Sequence, residues 1–195
     1  PRLTQGGTAF METVTLGRTG LQIRRMGFGG IPIQRIDAAG VKALIRKAAD
    51  AGVNYIDTAR GYTVSEEWLG GALEGIRDRF VLATKSMART REAMEKDIAV
   101  SLANLRTDHV ELYQIHNPSL AEMETVFGPG GAMEALLAAR ADGRVGHIGL
   151  TAHSLEVFVA ALEHEEIETI MFPYNIVETQ GQELIARAAE KGVAF

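Results

Sequence analysis

Three side chains of different chemistry close three successive β-rich runs. Asp57 ends VNYID, Lys85 ends FVLATK and His116 ends VELYQIH, while Tyr62 follows Asp57 within the next loop. Strands laid side by side would bring such carboxyl ends to one rim. A carboxylate beside an ammonium there forms a partly buried ion pair, and removing either partner strands the other charge. An ammonium near a phenol favours the phenolate and draws the tyrosine pKa down from about 10, which makes Tyr62 a usable general acid. His116 is placed to hydrogen-bond the same substrate oxygen and orient it. Acting together, these donors polarise a carbonyl and protonate it while a hydride arrives from elsewhere. Each residue also has a plain reading, since a lone strand-end Lys or Asp is often a solvated charge and a lone His a structural one. Coincidence would have to cover all four sites at once.

The elements that must position these groups are legible in the hydrophobic pattern. From Met11 onward, short β-rich runs alternate with longer segments of helical period, each closed by a Gly-bearing turn. The strand runs are RRMGFGG, VNYIDTA, RFVLATKS, HVELYQIHNP, VGHIGLTAHS, IETIMFPYNIV and VAF. Helices are predicted over 37–52, 65–74, 90–105, 133–142, 155–164 and 182–191. In the first helix, Val41, Leu44, Ile45 and Ala48 form the apolar stripe, with Asp37 as N-cap and Gly52 just past the C-terminus. Ser65 and Thr90 are the expected caps of the next two, and Met94, Ile98 and Leu102 line one face of the third. GPGG at 128–131 reads as a turn into the following helix, with a hinge for a covering loop as the alternative.

No linker or low-complexity stretch interrupts this alternation. One domain is therefore expected over 11–195, with residues 1–10 as an N-terminal extension. Parallel strands require right-handed crossovers, which leaves an open doubly wound sheet or a closed barrel. The stretch GFGGIP departs from the dinucleotide pattern G-x-G-x-x-G, because Pro32 stands where the third glycine belongs. Close backbone approach explains Gly27, Gly29 and Gly30 as well as ligand contact does. Reactive groups at consecutive strand ends favour the barrel. A complete barrel takes roughly 250 residues. The expected fold is thus an α/β (β/α)8 TIM barrel, incomplete and ending in its seventh strand, with about seven strands and six helices. Unpaired edges on such a barrel would invite association into an oligomer.

Composition narrows the function classes. The chain has 195 residues, 46% hydrophobic and 23% charged, the balance of a chain that buries a core. With 20 Lys+Arg against 25 Asp+Glu, the net charge of -5 offers no broad footprint for nucleic acid or an anionic membrane. Zero Cys excludes disulfides, thiolate metal sites, iron-sulfur ligation and a Cys nucleophile, and fits a cytoplasmic protein. No apolar run approaches the roughly 20 residues that span a bilayer, and PRLTQGGTAF lacks the pattern of a secretory leader. His147, His153 and His164 share no ligand spacing, so no metal is expected.

The motifs DTARGY, LATKS and LYQIHNP, in that order and at βα spacing, resemble the aldo-keto reductases. The resemblance runs from about residue 15 through 195 and includes LGRTGLQIRRMGFGG, GRVGHIGLT and MFPYN. It implies a (β/α)8 barrel that binds NADPH in extended form and reduces aldehydes or ketones to alcohols. By motif position the family's catalytic tetrad falls on Asp57, Tyr62, Lys85 and His116: Tyr62 as proton donor, Lys85 and Asp57 tuning it, His116 orienting the carbonyl. Its cofactor contacts fall near Gly30, Ile31, Asp57 and Thr151. Many members carry Ser-Asn where this chain has Thr151 and Ala152, which removes one expected hydrogen bond to the nicotinamide amide. The family's ring-stacking aromatic and its 2′-phosphate grip fall beyond Phe195, so the chain by itself is expected to be inactive. ARGYTVSEE and MFPYN also resemble a bacterial subgroup, some members of which append an iron-sulfur domain that this chain has no Cys to ligate. Two other functions compete: a Schiff-base lyase built on Lys85, against which its pairing with Asp57 speaks, and a non-catalytic nucleotide-binding subunit.

Overall fold

A computed structural model describes residues 11–195, and the extension expected over 1–10 lies outside them. An antiparallel hairpin comes first, β1 (Thr13–Thr15) and β2 (Gln22–Arg24), with Thr13 opposite Arg24. Alternation follows: β3 (Phe28–Gly29), α1 (Ala38–Asp50), β4 (Tyr55–Asp57), α2 (Ser65–Leu73), β5 (Val81–Ser86), α3 (Arg91–Leu105) and β6 (Val110–His116). Next come α4 (Leu120–Phe127), α5 (Ala132–Ala141), β7 (Val145–Thr151), α6 (Leu155–Ala161), β8 (Thr169–Met171) and α7 (Gln182–Glu190).

Strands β3 to β8 form one sheet, parallel throughout and ordered as they occur in the chain. A doubly wound sheet reverses its strand order at a switch point. The absence of any reversal among the described strands settles the alternative in favour of a curled, partial (β/α)8 barrel. Register aligns the strand ends that matter: Gly29 with Asp57, Lys85 with Gln114, and His116 with Thr151, itself beside Met171. Pleating sends neighbours to opposite faces. In β5, Lys85 reaches Asp57 on the neighbouring strand, while Thr84 donates to Glu66 on α2, which also accepts from Ser101 on α3.

The helices bury apolar faces against the sheet, though not always those the pattern suggests. In α3, Met94, Ile98 and Leu102 are buried as predicted, joined by Leu105. In α1 the buried positions are Val41, Ile45 and Ala49, and Leu44 is 40% exposed. A strict i, i+4 stripe follows because only one edge of α1 meets the core. Asp37 caps α1 by accepting from Gly40 N at 2.7 Å, Gly52 takes a φ of 90°, and Thr90 caps α3. Ser65 does not cap α2; its hydroxyl is turned inward, 2.8 Å from Thr58 Oγ1 and donating to Gly30 O at 2.9 Å.

Three features depart from the expected count. The hairpin occupies the segment just ahead of the first barrel strand, and α4 is a helix that the pattern does not announce. The VAF run contributes a bridge, not a strand: Ala194 pairs in parallel with Thr169, and Ile170 N donates to Ala194 O at 2.8 Å. GPGG is the tight corner between α4 and α5, as the turn reading had it. Among the described residues no helix is long and apolar enough to cross a membrane.

Candidate active site

The four residues singled out by type meet at the carboxyl ends of β4, β5 and β6. Lys85, only 2% exposed, forms an ion pair with Asp57 through Nζ and Oδ2 and also donates to Thr58 O at 2.9 Å. Its Nζ lies 5.0 Å from the centroid of the Tyr62 ring, within cation-π range. The Tyr62 ring meets His116 edge to face, with centroids 5.9 Å apart and planes at 86°. Acid, amine, phenol and imidazole thus form one chain of contacts. The Tyr62 hydroxyl bonds no described residue.

Local structure explains the placement. Tyr62 N donates to Ala59 O at 3.1 Å and Ser65 N to Tyr62 O at 2.8 Å, folding the loop after β4 back over the rim. Thr63 beside it holds a φ of 45°, a left-handed conformation costly for a β-branched residue. Its hydroxyl donates to Gln34 Oε1 at 2.7 Å. Asn117, also left-handed at φ 45°, turns the chain after His116 and donates its N–H to Thr151 O at 3.0 Å.

Gln114 is a site residue that the motifs do not flag. It is buried and donates from Nε2 to Asp57 Oδ1 at 2.9 Å, so each carboxylate oxygen has its own donor. The signal was present in the alternation Leu112, Gln114, His116, which puts an amide on the inward face two residues before the imidazole. Arg89 is the second omission; its Nη2 donates to the His116 carbonyl at 3.0 Å. Burial lowers the His116 pKa from 6.5 to about 4, helped by the positive charges of Lys85, Arg89 and His153. The imidazole is therefore neutral at pH 7, and its Nδ1 is buried without a partner among the described residues.

The expected cofactor contacts also gather here. Gly30 N donates to Asp57 O at 2.7 Å, which draws Gly30 against the acid. A Cβ on Gly30 would come within 2.8 Å of Ser65 Oγ and 3.0 Å of Thr58 Oγ1, so packing alone accounts for this glycine. Ile31, 54% exposed, stands on the rim as an apolar surface. Thr151 Oγ1 accepts from Asn117 N at 3.0 Å and keeps its own proton to donate. The remaining histidines have other company: His147 bonds Glu168 at 2.9 Å, and His164 stacks on Phe127 with centroids 3.5 Å apart.

By fold and rim chemistry this is a (β/α) barrel with a carboxylate, an ammonium, a phenol and an imidazole at the carboxyl ends of its strands. The model of the aldo/keto reductase family matches residues 25–195, and the chain belongs to that family. It is 30% identical over 195 residues to the aldo-keto reductase YhdN of Bacillus subtilis, an alignment covering 90% of this chain and 57% of that protein. A putative aldo-keto reductase from Pseudomonas aeruginosa superimposes with a TM-score of 0.84 at 28% identity, covering 93% of this chain and 75% of the other. An aldo/keto reductase from Klebsiella pneumoniae in complex with NADP and acetate gives a TM-score of 0.80 at 25% identity, covering 94% and 66%. The chain spans little more than half the length of the Bacillus relative.

Proposed function

We propose that this chain carries the catalytic half of an NADPH-dependent reductase that converts aldehydes or ketones to alcohols. The observation that carries the reading is the contact chain from Asp57 through Lys85 and Tyr62 to His116. The NADP-bound Klebsiella relative supports the choice of cofactor. Gly30, Ile31 and Thr151 would hold the nicotinamide end, Thr151 donating to its carboxamide. When bound, the cofactor supplies a hydride to the carbonyl carbon.

The chain's own residues manage the proton. Tyr62 donates its phenolic proton to the carbonyl oxygen, so that hydride and proton together complete the alcohol. The phenolate left behind faces the Lys85 ammonium, which stabilises the developing negative charge. Asp57, gripped by Lys85 and Gln114, fixes that ammonium in place. His116, neutral at working pH, donates an N–H to the carbonyl oxygen and sets the approach of the substrate. The Asp57 pair argues against the Schiff-base reading, since an ammonium has no lone pair to attack a carbonyl.

The test uses the full-length polypeptide and follows NADPH absorbance with a panel of aldehydes and ketones. Tyr62→Phe is expected to lower kcat by about 10²-fold or more, the usual range for losing a positioned acid. Undiminished turnover in that variant would overturn the assignment, and borohydride trapping of substrate on Lys85 would replace it with the lyase.

A further inference from the structure

Behind the rim, between β5 and helices α2 and α3, lies a buried carboxylate that the reaction described above does not use. Glu66 has a side chain with no exposed surface, yet four donors converge on it. Thr84 Oγ1 and Ser101 Oγ each donate to Oε1 at 2.7 Å, and Arg60 Nη1 donates to Oε2 at 2.6 Å, with Asn104 Nδ2 at 3.4 Å. Replacing a buried ion pair by packed apolar groups is often neutral or stabilising. Fold stability alone therefore does not account for it.

Its partners sit where the site needs them held. Arg60 and Glu66 stand at the two ends of the loop that carries Tyr62, and their ion pair closes that loop. Arg60 N also donates to Lys85 O at 2.9 Å, and Thr84 is the neighbour of Lys85 in β5. A ring of contacts results: Lys85 carbonyl to Arg60, Arg60 to Glu66, Glu66 to Thr84, and Thr84 back to Lys85 through one peptide bond. Ser86, on the other side of Lys85, bonds Asp97, whose Oδ1 lies 3.8 Å from Arg60 Nε. Left-handed Thr63 shows that the loop is held against its own preference, which requires such external fixing.

We propose that Glu66 is a positioning residue: it locks the loop bearing Tyr62 to the strand bearing Lys85, and so sets the distance between phenol and ammonium. The inference rests on Tyr62 being the acid of the proposed reaction. A displacement of about 1 Å in such a pair can cost up to 10²-fold in rate. The loss would fall on the proton-transfer step and leave ground-state binding nearly intact.

The test is a set of variants in the full-length polypeptide, each first shown to be folded by its thermal transition. Glu66→Gln keeps the shape but removes the charge that holds Arg60. It is expected to lower kcat about tenfold or more, with KM for the carbonyl and Kd for NADPH changed less than about twofold. In a Tyr62→Phe background the same substitution is expected to cause no further loss, because its route of action is already gone. Should Glu66→Gln fail to fold, Thr84→Val removes one donor and is expected to lower kcat by a smaller factor with KM unchanged. Full turnover in the variant that folds, or an equal fold-loss with and without the Tyr62 hydroxyl, would refute the positioning role while leaving the reductase reading intact. Undiminished turnover of Tyr62→Phe alone would instead remove that reading.

Discussion

The His116 imidazole shows what a single environment does to a residue that the sequence supplies. Burial disfavours the charged form, and three neighbouring cations add to it, which brings the pKa to about 4. The folded chain thus binds fewer protons at this site than the unfolded chain between about pH 4 and 6.5. Acidification through that window therefore costs stability, and the contribution is fully present above it. An NMR titration of the imidazole is expected to give a midpoint near 4, and a midpoint at or above 6 would contradict the environment described. Gln114 makes a second case at this scale. Gln114→Leu leaves Asp57 Oδ1 without its donor and is expected to lower stability by about 1–3 kcal/mol in urea denaturation, a hydrogen bond to a buried charge. The four proposed catalytic residues are readable because Asp57, Lys85 and His116 close three successive strand runs and Tyr62 follows in the loop after the first. Gln114 is legible only once His116 fixes which face of its strand turns inward, and Glu66 is not, since an acid in the first turn of a helix is ordinary in sequence and meaningful only through its partners.

At the scale of elements, the pattern marks six of the seven α-helices of the described residues and leaves out α4. Helix α4 is eight residues long and buries Met123 and Val126, and Ser119 and Glu122 form a complete capping box at its start. That S-x-x-E signal was available in SLAE and carries its own mechanism. Ser119→Ala is expected to cost about 1 kcal/mol, with the loss seen first as faster amide exchange in α4. The corner after it is stricter. A Cβ on Gly131 would come within 2.2 Å of Thr125 O and 2.4 Å of Val126 O, both fixed backbone. Gly131→Ala is accordingly expected to destabilise by about 2 kcal/mol or more, and a wild-type denaturation midpoint would show that the α4–α5 corner yields freely. Ser65 teaches the converse lesson, because a residue with cap chemistry in the right place found buried hydroxyl and carbonyl partners instead.

For the whole molecule, the question is what fastens the first elements to the last. Much of the answer is Arg18, in the turn between β1 and β2. Its guanidinium donates to Glu165 O at 2.6 Å, Ile167 O at 2.8 Å and Lys191 O at 3.0 Å, and its backbone N–H to Gly192 O at 2.7 Å. These carbonyls lie where α6 runs into β8 and where α7 ends, so one side chain ties the hairpin to the final two helical units. A planar fork with five donors serves three acceptors at once, which an ammonium cannot match. The hairpin's other anchor is Asn54, which accepts from Arg24 N at 2.7 Å and donates to Gln22 O at 2.9 Å on the β4 side. With both anchors the hairpin joins the segment before β4 to those before β8 and after α7; with one it hangs from β4 alone. Arg18→Ala removes charge-assisted bonds that are partly exposed, so the expected loss is about 2 kcal/mol, not the sum of three buried bonds. For a chain of this size that corresponds to a Tm lower by roughly 4–8 °C. Arg18→Lys is expected to recover less than half of the loss. Hydrogen exchange should show β1 and β2 amides losing protection ahead of β4 to β7, and an unchanged Tm with a protected hairpin would mean that packing, not the Arg18 fork, closes the molecule.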